Sequence, residues 1–412
     1  MEFSNIIPNM GSWTVTGIAG FSLYILLCRT LRFRRRDKKH AEYPYKTRED
    51  LAKMTTQHAQ EIIKYLYNLE FPLMVEKALQ FALFKTYGIP TISRLLCETK
   101  QLSTPEHAPR RYADTVILIR EFLGKPPSST RANSAIARMN YLHSVYQRAG
   151  KISNDDMLYT LALFVLEVPR WVNKYEWRPL TEMEVCAFGT IWKDMAQCMH
   201  IDLSPLARGP DGWHDGLEFY SDIEAWANAY EEKALVPHPL NHQLAGETIA
   251  ILLCDVPEFL KPLGTQVVVT LMDLRLRRAM VYDDPPALYP PLVDFLLYTR
   301  AFLLRHLTLP RPFSLRVDPL TDPDPVTGRF YQHYYQHEPW YVPRTASHLY
   351  GPLTLFRRLV GLPYPNGKKY KPEGYAMFEV GPQGMEKLGQ DSCQKTYEEL
   401  MEKGRGGCPF AV

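Results

Sequence analysis

The chain has 412 residues, 46% of them hydrophobic and 23% charged, which is the composition of a folded protein and far from the disordered regime. A net charge of +3 excludes the strongly basic surface that nucleic acids select, and no aromatic–basic interleaving is present. Seven cysteines with no Cys-x-x-Cys pair and no regular spacing argue against a disulfide framework or a thiolate zinc site and fit a reducing compartment.

The first predicted element is a membrane anchor. No charged residue lies between Phe3 and Cys28, and the stretch from Trp13 to Cys28 is strongly apolar. Arg29, Arg32, Arg34, Arg35, Arg36, Lys38 and Lys39 follow at once. An uncharged run of about 20 residues spans a bilayer as a helix. A cleavable signal would carry its basic residues ahead of the apolar core, whereas here they come after it. The expected layout is a lumenal segment 1–10, a spanning segment 11–31, and a basic juxtamembrane linker 32–47. The positive-inside rule then places the body on the cytosolic side of a single-pass protein.

Residues 48–310 read as one all-α domain. Apolar residues recur at 3–4 spacing in Glu61–Tyr67, Leu73–Thr86, Arg111–Phe122, Ala132–Arg148, Asp155–Val168, Glu182–Met199 and Ser221–Lys233. Ser153 ahead of Asp156, and Thr181 with Glu184, are helix-start signals. Gln266–Thr270 is β-branched within an otherwise helical context. Leu292–Leu304 is too short or interrupted for a span and reads as a core or interfacial helix. Prolines then cluster, and residues 311–412 are expected to form an irregular Pro- and Gly-rich extension packed loosely on the body.

The candidate site lies on two of these helices. His143 sits in a run, Ser134–Arg148, free of Gly and Pro, with Asn140 and Tyr146 three residues to either side on the same face. About thirty residues upstream, Arg111, Asp114 and Thr115 stand at i, i+3 and i+4. Two polar stripes turned inward, one bearing a lone imidazole, describe a buried cofactor site. The same spacing also describes a salt-bridged core histidine. A haem needs an axial ligand, propionate donors and an apolar pocket. His143 would be the ligand, and Arg111, Arg131, Arg138 and Arg148 are the nearby cations. The pairs His238/His242 and His333/His337 have the i, i+4 spacing of metal ligands, but prolines surround the first pair and a loop precedes the second. Walker, GxGxxG and GxSxG motifs are absent.

Ile89-Pro-Thr-Ile, Arg111-x-x-x-Thr115, His143 at a fixed offset of 28 residues, and Arg178-Pro-Leu-Thr-Glu-Met-Glu together carry a resemblance. Between about Ala78 and Leu253 the chain resembles the catalytic domain of latex-clearing rubber oxygenases and of fungal ER-bound oxygenases of mycophenolic acid biosynthesis, and it is closer to the fungal group. The resemblance implies a helical fold holding one haem b with His143 as proximal iron ligand. It implies O2-dependent cleavage of a C=C bond in the prenyl side chain of a meroterpenoid, giving carbonyl products, at the ER membrane. Arg111 and Thr115 match positions beside the haem, and Asn140 and Arg138 are further candidates for holding it. Where rubber enzymes carry a distal lysine this chain has Asp114, and where they carry a base the near candidate is Glu98. These two carboxylates are therefore the expected proton-transfer groups. The source of electrons stays open. So do a haem hydroxylase or peroxygenase of the same substrate and a non-catalytic, membrane-anchored lipid carrier.

Overall fold

The computed structural model describes residues 12–333, 335 and 337–411, and the expected lumenal segment 1–10 lies outside the described residues. The protein is all-helical. α1 (Ser12–Ala41) leads to a short α2 (Arg48–Leu51) and to α3 (Thr56–Tyr65), which ends in a π-helical turn, Leu66–Glu70. α4 (Pro72–Thr86) and α5 (Pro90–Glu98) each begin with proline, where the missing N–H costs nothing. α6 (Ala108–Gly124), α7 (Thr130–Arg148), α8 (Asn154–Tyr175) and α9 (Glu182–Cys198) form the centre. They are followed by α10 (Gly216–Ala234), α11 (Pro239–Leu252), α12 (Lys261–Leu271), α13 (Leu274–Ala279) and α14 (Tyr289–His306). The extension holds α15 (Ala346–Tyr350), α16 (Pro352–Leu359) and α17 (Gln390–Lys403). Among the described residues its only β pairing is two isolated bridges, Leu320 with Gln332 and Phe330 with Tyr375.

Local chemistry sets several of these boundaries. Ser153 and Thr181 both close reciprocal capping boxes, with Asp156 and Glu184 respectively, and so fix the starts of α8 and α9. α8 runs past Val168, where the periodicity suggested an end, and continues through Pro169 to Tyr175. A mid-helix proline costs roughly 3 kcal/mol. The fully buried apolar flank of α8 against α4 offsets that cost. The β-branched Gln266–Thr270 run is helical, within α12. α9 and α10 cross with Gly189 against Gly216, where a Cβ on Gly189 would sit 1.9 Å from the Gly216 carbonyl oxygen.

Two further features depart from the pattern read in the sequence. α1 is continuous from Ser12 to Ala41, so the basic segment is helix rather than linker. No Gly or Pro interrupts it after Gly20, and Arg32 and Cys28 are buried against the body. The extension is not loose. α17 packs on α7, Arg405 forms a buried ion pair with Asp194, and Thr56 N–H donates to the Gly407 carbonyl at 2.8 Å. Val380, Cys393 and Phe410 belong to the buried interior.

Thr14–Ala41 is long and apolar enough to cross a membrane, with a mean hydropathy of 1.4 over its best window. Its C-terminal half plugs into a socket built by the Arg178-Pro-Leu-Thr-Glu-Met-Glu segment together with Glu70 and Trp177. Arg178 donates to both carboxylate oxygens of Glu184 at 2.8 Å, and His40 of α1 stands 3.2 Å from the same carboxylate. Arg35 pairs with Glu70 at 3.1 Å, and Phe33 packs edge-on against Trp177. These donors hold the Glu184 carboxyl down at about 2 despite its burial.

Candidate functional site

α6 and α7 lie side by side and, with α5 and the first half of α8, enclose a cleft with an empty volume of about 1480 Å³, mouth included. Leu118, Phe122, Met139, Leu142, Leu161, Phe164 and Trp192 make most of its wall apolar. Polar side chains are fewer, among them Arg111, Thr115, His143, Tyr87, Tyr146, Gln101, Lys151 and Asp156. An apolar pocket with a few convergent polar groups is the usual form of a small-molecule site.

His143 is the central group. It stands in the wall between this cleft and a smaller polar pocket lined by Asn140, Ser144, Gln147 and His200. Among the described residues nothing hydrogen-bonds its ring, and its Nδ1 is buried without a partner. Burial, reinforced by the Arg111 guanidinium, pushes its pKa down from 6.5 to about 4. At neutral pH the imidazole is therefore uncharged, the form in which a ring nitrogen ligates metal. Arg111 reaches the cleft from α6 and donates to the Thr115 hydroxyl, which in turn donates to the Arg111 carbonyl at 3.0 Å. The i, i+4 geometry of the two residues is thus realised as a direct bond.

The other expected residues stand elsewhere. Asp114 is fully buried but lines a different, charged pocket with Arg110, Lys368 and Lys371. Consecutive helical residues are 100° apart, so Thr115 facing the cleft turns Asp114 away from it. Its Oδ1 accepts from Tyr341 Oη at 2.6 Å, and its Oδ2 has no hydrogen-bond partner and lies 3.9 Å from Arg110 Nε. Burial raises the carboxyl to about 6, although Tyr341 and Arg110 oppose this. Glu98 is about half exposed at the rim and pairs with Lys151 at 2.9 Å, which lowers its pKa. Neither carboxylate is brought beside His143.

Arg138 is fully buried and gives its guanidinium to the carbonyls of Val380, Leu388 and Met385 at 2.7–2.8 Å. It holds the extension, including Pro382 and Met385 of the cleft wall, and does not itself line the cleft. Arg131 is bound to Glu121 and to the Thr321 carbonyl. Asn140 donates to the Cys198 carbonyl at 2.7 Å, with its Oδ1 buried and unpaired toward the smaller pocket. The histidine pairs make no metal centre: His238 caps α11, His242 contacts the Met280 carbonyl, and His337 contacts the Glu338 carbonyl. Among the described residues no group of three or more His, Cys, Asp or Glu could hold a metal.

Tyr87 was missed in the sequence. It is buried on the cleft wall, and burial raises its phenol to about 12, so it stays protonated. The signal for it is the Ile89-Pro-Thr-Ile segment just beyond. Ser93 Oγ donates to the Tyr87 carbonyl, and Thr91 Oγ1 donates to Asp156, which ties the start of α5 to α8.

No protein-family model matches the chain. Curated relatives do. An ER-bound oxygenase mpaB' of Penicillium brevicompactum is 38% identical over 412 residues, covering 99% of this chain and 97% of the relative. An ER-bound oxygenase mpaB of Penicillium roqueforti is 42% identical over 279 residues, covering 68% of this chain and 94% of its own length. A second P. brevicompactum protein, also named ER-bound oxygenase mpaB, is 35% identical over 90% of both chains. Identity of this extent over nearly the whole length, spanning both the anchor helix and the His143 cleft, places the protein in the MpaB family of ER-bound oxygenases.

Proposed function

We propose that the protein is a membrane-anchored haem b oxygenase that cleaves a C=C bond in the prenyl side chain of a meroterpenoid intermediate, such as that of mycophenolic acid biosynthesis. The observation that carries this reading is the neutral, unpartnered His143 in the wall of a large apolar cleft. The donor set fits a haem: one free imidazole, an Arg111 guanidinium and a rim Lys151 able to meet propionates, and a wall of aliphatic and aromatic side chains. Bound there, the haem would supply O2 binding and the redox chemistry of alkene cleavage.

The chain's own residues do the rest. The apolar wall takes up the prenyl chain and excludes water. Arg111, fixed by Thr115, sets its guanidinium near the imidazole and adds to the burial that disfavours a proton there. Tyr87 and Tyr146 bring phenol groups to the wall of the cleft, while Asp114 lines a neighbouring pocket and Glu98 pairs with Lys151 at the rim. Overall, one alkene and one O2 give two carbonyls, so the balance needs no net external reductant. The α1 helix keeps the enzyme in the membrane into which a prenylated substrate partitions, with the body on the cytosolic side.

The test is the visible spectrum of the purified protein and of His143→Ala, oxidised and reduced. A Soret band in the wild type that is lost in the variant is expected. Wild type without a Soret band, or His143→Ala with full haem content, sinks the proposal. Product analysis under labelled oxygen separates cleavage, with one label in each carbonyl fragment, from hydroxylation.

A further inference from the structure

α14 carries its apolar stripe on the outside. Leu288, Leu292, Phe295, Leu296, Phe302 and Leu303 follow i, i+3, i+4, i+7 spacing along one face, and all are exposed, Phe295 by 66% and Phe302 by 58%. Only Val293 on this helix is buried. Its charged residues sit on other faces, with Arg300 bonded to Glu176 at 2.9 Å. The patch continues on both sides. Phe259, in the turn Glu258–Leu260 ahead of α12, and Leu263, in the first turn of α12, are exposed; α12 packs on α14, and Phe313 and Leu315 are exposed in the turn beyond α14. Monomeric soluble proteins rarely expose a contiguous apolar surface of this extent, and such surfaces mark protein or membrane contacts.

The anchor helix tells which. α14 packs directly on α1. Tyr24 of α1 donates to the Leu307 carbonyl at 3.1 Å, Arg32 Nε to the Thr308 carbonyl at 2.9 Å, and Arg35 to the Arg311 carbonyl. Tyr24 lies four residues inside the end of the uncharged run, and Arg32 and Arg35 lie in the basic cluster that follows it. These three bonds therefore fix the segment 307–311 at the depth where hydrocarbon gives way to headgroups. Arg311 and Arg316 flank the exposed Phe313 and Leu315, an arrangement of basic and aromatic residues suited to an anionic membrane surface.

We infer that the outer face of α14, with the 313–315 turn, lies in the same leaflet as the base of the anchor, so that the body is embedded in the membrane surface and not merely tethered to it. This rests on reading α1 as a membrane span. The body then has two attachments and one orientation to the bilayer, which a flexible tether would not give.

The test places the photo-crosslinking residue p-benzoylphenylalanine singly at Phe295, Phe302, Leu23 and Val326 of the full-length chain, in vesicles containing a clickable phosphatidylcholine and a fraction of anionic lipid. Leu23 reports the anchor, and Val326, 90% exposed in the extension, controls for exposure alone. Lipid adducts at 295 and 302 approaching the yield at 23, and several-fold above 326, are the expected result. Adducts at 23 but only background at 295 and 302 overturn the inference and leave the anchor intact. Background at all four positions removes the anchor reading and the inference with it. Adducts at 295 and 302 to a second copy of the chain instead of lipid overturn it in favour of a dimer face.

Discussion

One helix serves two regions of this molecule in opposite ways. The seam around Arg138 and the cleft around His143 are both built on α7, five residues apart. At the seam every guanidinium nitrogen has an acceptor from the extension. At the cleft the imidazole has none, and its Nδ1 is buried. An unpaired buried polar atom costs about 1–3 kcal/mol. At these two sites, satisfaction of the polar atoms separates seam from cleft where spacing does not.

The contrast is broken most directly at the seam. Arg138→Ala removes three donors from buried carbonyls and opens a void, and is expected to lower stability by about 3–5 kcal/mol in denaturant unfolding. A loss as small as that of a surface arginine would mean that the seam does not hold the extension.

Acid titration probes the cleft. Above pH 6.5 His143 is neutral in both folded and unfolded chains. Between pH 6.5 and about 4 only the unfolded chain takes up its proton, so the stability of the haem-free protein falls as pH drops through that window, and levels off below it. The size is about 3 kcal/mol at most. His143→Ala should flatten that limb of the stability–pH curve, and an unchanged curve would place the imidazole in contact with water.

Asp114 has the opposite sign. Its carboxyl is raised from 3.8 to about 6, so between these values only the folded state keeps the proton, and stability falls as pH rises through the window. Asp114→Asn is expected to stabilise the protein at pH 7 by about 3 kcal/mol at most, with the gain gone below pH 3.8. The same variant's turnover decides whether the carboxyl takes part in the reaction. The smallest effect belongs to Glu98→Ala, where an exposed pair with Lys151 is lost. Its unfolding midpoint and haem content should match wild type, and a fall in turnover alone would restore Glu98 as a proton carrier.

The helical architecture was legible in the sequence because its signals are local. Ser153 with Asp156, and Thr181 with Glu184, mark helix starts by chemistry contained within four residues. The long apolar helix α1 was legible for the same reason. What escaped depended on distant partners. Arg138 looked like a cofactor donor because its acceptors, Val380, Met385 and Leu388, are about 250 residues away. Asp114 does neighbour Arg111, with which it lines the charged pocket, but the cleft takes Arg111, Thr115, Leu118 and Phe122, and that stripe passes Asp114 by. Arg178-Pro-Leu-Thr-Glu-Met-Glu was recognisable as a motif, yet its partners are His40 of α1 and Glu70, which in turn pairs with Arg35, and none of its residues lines the cleft.

The bond from Thr56 to Gly407 spans 351 residues of sequence and closes the first helix of the body with some of the last residues described. On a ribosome adding roughly 5–20 residues per second, Thr56 waits on the order of 20–70 s for that partner. During that interval α1 has already emerged and can enter the membrane, while α3 and α9 still lack the residues that seal them. The order of synthesis thus lets α1 emerge well before the body closes, and it makes the segment Arg405–Phe410 a completion signal: a nascent chain stalled before it would leave the faces of α3 and α9 that this segment covers open to chaperones and proteases.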